Sequence, residues 1–492
     1  MEPILIHRRG RVLAWLERES LPVTVFGLFV CGLIVRLPDQ LRQDGWLALV
    51  SGRVVAHSGL PSTDTLTAWT AHVQWVDQQW LGQLFLYRLA SSGNLRLVML
   101  VHVGLLAGAM AAALAAARWR GGSARSVGLV AAPALVVILM SAQMRTQSLA
   151  YPLFVAAAWL LIADARAPSR RVLLVLPILV LWANVHGSVV LGAVLTTVYG
   201  VLLAVRAARS RAGSSKELLL RGVLLAVAPC LCIFASPYGL SLFHYYGSTA
   251  FNSSFARVVS EWQHSWPSLM TLPFYVLAAA GAWLLLRNRR TVSTFEQLAL
   301  LLLFVAGVAA LRNMVWFSFF ALIVLPFPLG RRLGEVSGKE SKTVKTALAA
   351  AAIAAVSVAG AAAASRPDSW LTSSVYPAAA ANAVGAAAAT DPTARIYSDV
   401  RFADWLLWTR PELAGRIAYD ARFELLSNQE LDRLYRLQNR LTPQWQAALA
   451  DHRLVVLPRG QGSATARALM TEQGVRRIYR DSSVVILLRP RS

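Results

Sequence analysis

Long apolar runs separated by short arginine-rich clusters occupy the first three quarters of this chain. Many of the runs approach the ~20 residues that a helix needs to cross a bilayer. They predict eleven crossings, at 21–37, 95–117, 127–144, 149–164, 172–183, 189–205, 219–235, 269–286, 295–311, 314–329 and 346–364. Trp80 to Ala90 is half apolar and too short to span, and reads as an interfacial helix. Past an alanine-rich stretch the texture changes. Arg395–Ser398, Arg416–Tyr419, Leu454–Leu457, Arg476–Tyr479 and Val484–Leu488 predict strands. Asn428–Gln438, Pro443–Asp451 and Ala464–Gly474 predict helices between them. The expected fold class is a polytopic α-helical membrane protein of about eleven transmembrane helices with a C-terminal soluble α/β domain.

The basic residues set an orientation. Clusters at 7–11, 118–125, 166–171, 206–221, 287–290 and 331–345 fall between apolar runs, and such clusters hold loops in the cytoplasm. With the N-terminus cytoplasmic, every main cluster falls inside. Segments 38–79, 145–148, 184–188, 236–267 and 312–313 then fall outside, together with the C-terminal domain. The expected divisions are a cytoplasmic N-terminus at 1–20 and a membrane domain at 21–364 with its outer loop at 38–79. A linker at 365–390 and an extracytoplasmic domain at 391–492 follow.

Composition agrees with this class: 56% of the 492 residues are hydrophobic and only 15% charged, too little polar surface for a soluble protein of this length. A net charge of +23 would suggest nucleic acid in a soluble chain, but its placement in inter-span clusters makes it a topology signal, and no nucleic-acid partner is expected. Cys31, Cys230 and Cys232 lie inside apolar runs and predict neither a disulfide framework nor a zinc pair. Heavy use of alanine and arginine points to a GC-rich bacterial genome, hence to the plasma membrane and cell envelope.

The polar groups of the outer segments are the candidates for chemistry. Asp44 lies just past the first run and opens an amphipathic stretch; it is either a helix cap or a general base towards an acceptor hydroxyl. Arg145 and Arg312 stand at the outer ends of runs, where a guanidinium either snorkels or binds phosphate through its planar fork. His186, where two short runs meet, either contacts a phosphate or sugar hydroxyl or satisfies backbone groups at the break. Glu261 and Trp262 put an acid beside an aromatic face, while Trp266 reads as an interface anchor. Asp420 and Arg422 suggest an intradomain salt bridge, the alternative being a tail domain that caps the outer cavity. The scattered histidines match no metal-ligand spacing, and no metal is expected.

In arrangement the chain resembles the GT-C superfamily of polyprenyl-phosphate-sugar-dependent glycosyltransferases. The resemblance rests on an acid after the first helix, a long outer loop, and Trp80-Leu81-Gly82-Gln83-Leu84 running through Gly93 to Arg96-Leu97 as interfacial helix and second span. It covers roughly the first 345 residues. The chain more closely resembles a group of bacterial membrane proteins called glycosyltransferase-like by architecture. That likeness rests on Trp182–Ser188, Ser236-Pro237-Tyr238-Gly239, Glu261-Trp262, Arg312-Asn313, Tyr419–Glu424 and Tyr479-Arg480-Asp481. The resemblance implies sugar transfer from a polyprenyl phosphate to a glycan, lipid or protein acceptor, among membrane lipids and without a cofactor. Asp44 would be its base, and Arg145, His186 and Arg312 its phosphate ligands. Many members carry a second acid in the next outer loop, but here that loop is Gln143-Met144-Arg145-Thr146-Gln147. Asp64 and Glu261 are the candidates to replace it. The rival readings are a non-catalytic envelope scaffold and a transporter; the spans carry little central charge and show no related halves, which counts against the transporter.

Overall fold

The computed structural model describes residues 14–209, 215–250, 253–334, 342–372, 375–440, 445–460 and 462–490. The basic cluster at 7–11 and parts of those at 206–221 and 331–345 lie outside the described residues. The chain forms a multi-pass, largely helical membrane architecture followed by a mixed β-sheet region.

All the apolar runs contain helix, but eleven full crossings is a correction to make. Among the described residues, four helices are long and apolar enough to span: Trp80–Trp119, Gln147–Arg166, Val189–Arg209 and Thr343–Ala364. A bent pair, Leu311–Val324 with Pro326–Leu333, makes a fifth if counted as one span. Several other runs give apolar helices of 10–17 residues. Run length overcounts because part of a run is spent on irregular backbone. The run at 172–183 starts as a 3-10 turn, Arg170–Leu174, and leaves only Val175–Ala183 as α-helix. At 1.5 Å per residue that covers roughly 14 Å, about half a bilayer core.

The helices used below are α1 (Ser20–Val35), α2 (Gln43–Ser58), α3 (Trp80–Trp119), α4 (Gln147–Arg166), α5 (Val189–Arg209), α6 (Ser215–Ile233), α7 (Met314–Val324), α8 (Pro326–Leu333) and α9 (Lys342–Ala364). The segments expected as interfacial helix and second span are the two halves of α3, divided by non-helical Gly93 and by Asn94 at φ 65°. Arg96, just past the break, donates to the carbonyls of Ala364 and Arg366 and pairs with Asp368, so it holds the C-terminal end of α9. α7 is apolar all round and buried at all of its positions, which makes it the central helix. Its Trp316 packs within 5.2 Å of the Tyr151 and Phe154 rings and 5.8 Å of Trp182.

Small residues set the closest helix approaches. A Cβ on Gly200 would lie 2.3 Å from the Ala226 nitrogen, and one on Gly222 2.5 Å from the Ala204 nitrogen, so α5 and α6 meet backbone to backbone. The α7–α8 bend of 46° follows from Pro326 and Pro328, which have no N–H for the carbonyls one turn back. Arg120 supplies the missing donor to Val324 O at 2.8 Å, and its charge is met by buried Glu296 at 2.6 Å. This cluster, with Arg118–Glu19 and with Arg166 donating to Arg120 O, gathers basic residues at one end of α4. Arg145 lies just before the other end.

In the tail, β1 (Ile396–Ser398), β2 (Leu454–Pro458), β3 (Arg476–Arg480) and β4 (Val484–Leu488) form one sheet of order β1-β2-β4-β3. β1 and β2 are parallel and the other pairs antiparallel. Four expected strands are there, but Arg416–Tyr419 is not one. It forms only isolated bridges, to β1 on one side and to residues 66–69 of the outer loop on the other. Ala68 and Trp69 donate to Ile417 O and Ala418 O at 2.7 and 2.9 Å, and Gly415 donates to Leu66 O at 2.9 Å. Within 365–390, Ala378–Thr390 is a helix that buries Ala380, Ala381, Val384 and Ala388 in the core it shares with the tail sheet.

A buried ion cluster completes this docking. Arg422 reaches Asp420 at 2.6 Å and crosses to Asp64 of the outer loop at 2.7 Å, with the Trp75 ring 4.2 Å from its guanidinium carbon. Asp64 also accepts from Thr67 and Thr70 hydroxyls and from Leu66 N–H. Breaking a buried pair leaves an uncompensated charge. Arg422→Ala is therefore expected to cost about 3–5 kcal/mol in detergent unfolding, and limited proteolysis should release the tail. A double change, Asp64→Leu with Arg422→Met, should cost clearly less than the single one.

Candidate active site

Two glycines bring α2 to its place. A Cβ on Gly45 would lie 2.6 Å from Met144 O, and one on Gly52 only 2.2 Å from Gln83 O. α2 therefore presses on the first half of α3 and on the chain just before Arg145, and Met144 N–H closes the contact by donating to Gln40 O. Asp44 is in the first turn of α2, where the helix dipole favours an acid, but it is not the cap; the cap position is Arg42. The Asp44 carboxylate turns to Arg145, 3.1 Å away.

Arg145 is buried and holds a second carboxylate, Glu261, at 2.7 Å. Burial works against its charge, and Glu261 and then Asp44 outweigh that and raise its pKa. Glu261 is pushed up by burial and pulled further down by Arg145 and Arg312, so it is held below the usual carboxylate range. Glu261 sits in a 3-10 turn, Ser260–Trp262, that docks by backbone: Leu311 donates to Gln263 O and Ser265 to Val308 O. The same docking lays Arg312 over the Trp262 ring, 4.8 Å from its centroid. Arg312 pairs with no carboxylate among the described residues.

His186 lies in the break before α5, where its Nδ1 accepts from Ser188 N–H at 3.1 Å. Burial first, then Arg312 and Arg145, hold its pKa well below the ordinary value. A neutral ring that accepts at Nδ1 carries its proton on Nε2. His186 thus serves the broken backbone and still has a donor to offer. The break is tied to α3: Trp80 donates to Asn184 Oδ1 and Leu81 N–H to Asn184 O.

Asp44, Arg145, His186, Glu261, Trp262 and Arg312 all line one cavity of about 720 Å³. Asp64 does not; it is buried in the Arg422 cluster, apart from the cavity lining. Trp266 is exposed, away from the cavity. The tail contributes Phe423 and Glu424, which follow directly on Arg422, so the ion cluster and a cavity wall are parts of one segment. Sequence reasoning did not single out Glu424, Tyr245 or Tyr246 for this cavity; only Glu424 had a signal, its place in the Tyr419–Glu424 motif.

Glu424 and buried Asp77 are both pushed up to about 7 by burial, against the pull of Arg422. A raised carboxyl favours the folded state in its protonated form. Its stabilising share is complete below the unfolded value near 4 and disappears as pH rises through 7. Detergent-solubilised protein should therefore lose thermal stability between about pH 5 and pH 8. Asp77→Asn with Glu424→Gln should flatten that slope; an unchanged slope would assign it elsewhere.

No family model matches the chain, and no curated protein matches it. Solved structures do. ArnT from Cupriavidus metallidurans in the apo state is 14% identical at a TM-score of 0.50, covering 94% of this chain and 97% of its own. ArnT from the same organism bound to undecaprenyl phosphate is 12% identical at 0.47, covering 99% and 98%. The apo oligosaccharyltransferase of Archaeoglobus fulgidus is 12% identical at 0.46, covering 88% of this chain and 69% of its own. The likeness to apo ArnT, at 14% identity, is one of fold alone.

Proposed function

We propose that the chain is a membrane glycosyltransferase that moves a sugar from a polyprenyl phosphate to an acceptor hydroxyl at the extracytoplasmic face. The observation that carries this reading is the meeting of an acid, two guanidiniums and a neutral histidine in one cavity of about 720 Å³, a size suited to a bound small molecule. The likeness of fold to apo ArnT supports it, as does the structure of that protein bound to undecaprenyl phosphate. The bilayer concentrates a lipid-linked donor beside such a cavity, and no nucleotide site is needed. The basic residues gathered at the far end of α4 support a cytoplasmic assignment for that end, hence an outward cavity.

The reaction is a single displacement. The acceptor oxygen forms a bond to the anomeric carbon while the bond from that carbon to the phosphate oxygen breaks, and the configuration inverts. Asp44 takes the acceptor proton. The leaving polyprenyl phosphate gains charge in the transition state, and Arg145, Arg312 and the Nε2–H of His186 are the donors to meet it. Arg145 is now occupied by Asp44 and Glu261. A phosphate arriving at that guanidinium competes for its N–H groups and releases the Asp44 carboxylate for the proton. Donor binding and activation of the base are thereby coupled.

Asp44→Asn should keep expression and undecaprenyl phosphate binding while abolishing release of that lipid from its sugar-linked form; undiminished release removes Asp44 from the mechanism. Arg312→Ala, which leaves no carboxylate orphaned, should weaken undecaprenyl phosphate binding in nanodiscs by about tenfold or more, as the loss of a charged hydrogen bond implies. Equal affinity in the variant would show that the phosphate sits elsewhere.

A further inference from the structure

The cavity has two chemically different sides. On the membrane-helix side, Arg145 and Arg312 supply the positive charge, and both Asp44 and Glu261 are committed to Arg145. On the tail side stand Arg401, Phe423, Glu424 and Gln438, with Tyr245 and Tyr246 of the helix Ser241–Ala250 also in the lining. Glu424 forms no side-chain ion pair among the described residues, although Arg422 is its close neighbour in sequence. The reason is geometric: the Arg422 fork is turned away to Asp420 and Asp64. The short turn Phe423–Leu425 then carries Glu424 into the cavity.

The Glu424 carboxyl accepts from its own backbone N–H, and without a guanidinium partner it keeps further acceptor capacity for a ligand. Here it stands with a carboxamide and aromatic side chains, a set suited to a carbohydrate. Planar polar groups bond hydroxyls, and ring faces cover the C–H side of a sugar. The two guanidiniums of Arg145 and Arg312 draw a phosphate to the membrane-helix side, which leaves the Glu424 side to the other substrate. Burial also raises the Glu424 carboxyl to about 7, so near neutrality it serves both as hydroxyl acceptor and, when protonated, as donor.

Resting on the reading above, we propose that the tail side of the cavity is the acceptor subsite, that the acceptor is a carbohydrate, and that Glu424 is the residue that binds its hydroxyls. The C-terminal domain is then a substrate-binding wall, and the Asp64–Arg422–Asp420 cluster positions its key side chain.

The test uses the full chain in nanodiscs with two probes: undecaprenyl phosphate for donor-site binding, and an undecaprenyl-phosphate-linked hexose with a neutral hexose trisaccharide as acceptor. Glu424→Gln should raise the KM for the trisaccharide by about tenfold or more, with kcat and undecaprenyl phosphate affinity little changed, and Glu424→Asp should fall between. An unchanged KM for Glu424→Gln overturns the proposal. So does a loss of undecaprenyl phosphate affinity that matches the loss of turnover, since Glu424 would then serve the donor side or the fold. Wild-type protein that binds undecaprenyl phosphate but transfers nothing to the trisaccharide overturns the carbohydrate acceptor and leaves the donor reading standing. Wild-type protein that does not bind undecaprenyl phosphate defeats the underlying glycosyltransferase reading, and the acceptor subsite with it.

Discussion

The Arg145 guanidinium, buried at the edge of the helical body, must have carboxylate partners, and its two partners come from segments far apart in the chain. Asp44 is 101 residues before it and Glu261 116 residues after. A buried cation with two anions costs desolvation that only good geometry offsets. That geometry exists because Gly45 lets α2 touch the chain at Met144 and because the 3-10 turn at Glu261 bonds to residues 308–311 through its backbone. These three segments together form the charged part of the cavity wall around Arg145.

The membrane-embedded body answers a different demand, that each backbone polar group have a partner. α7 and α8 break at Pro326, and Arg120 with Glu296 serves that break away from the cavity. His186 and Asn184 serve the break before α5 beside the cavity. One break thus holds a structural ion pair and the other a candidate ligand. What separates them is the cavity, with Arg145 and Arg312 on its wall.

Tail and outer loop are best understood together. Residues 66–69 add backbone bonds to the segment at Ile417, and Asp64 meets Arg422 across 358 residues of sequence. From its place in the outer loop Asp64 is a candidate second acid, and Arg422 is half of a local salt bridge with Asp420. The local pair does exist, but sequence had no means of showing its third member. The strand expected at Arg416–Tyr419 meets β1 on one side and an outer-loop segment on the other, and only isolated bridges form there.

By itself, the order of residues determined what depends on near neighbours and on solvent preference. It marked the apolar runs as membrane-embedded helix, the change to an α/β tail at Arg395, and the handful of polar groups left over in the segments between runs. It overcounted full crossings, because hydropathy registers apolar character and not the residues spent on turns, breaks and prolines. Only the tertiary structure decided which polar groups meet. Asp44, Arg145, His186, Glu261, Trp262 and Arg312 share a cavity, Asp64 is withdrawn into a docking cluster, and Glu424 is carried in from the tail. Such meetings depend on backbone approaches of a few ångströms between distant segments, which glycine contacts and buried charge pairs set and which no local pattern records.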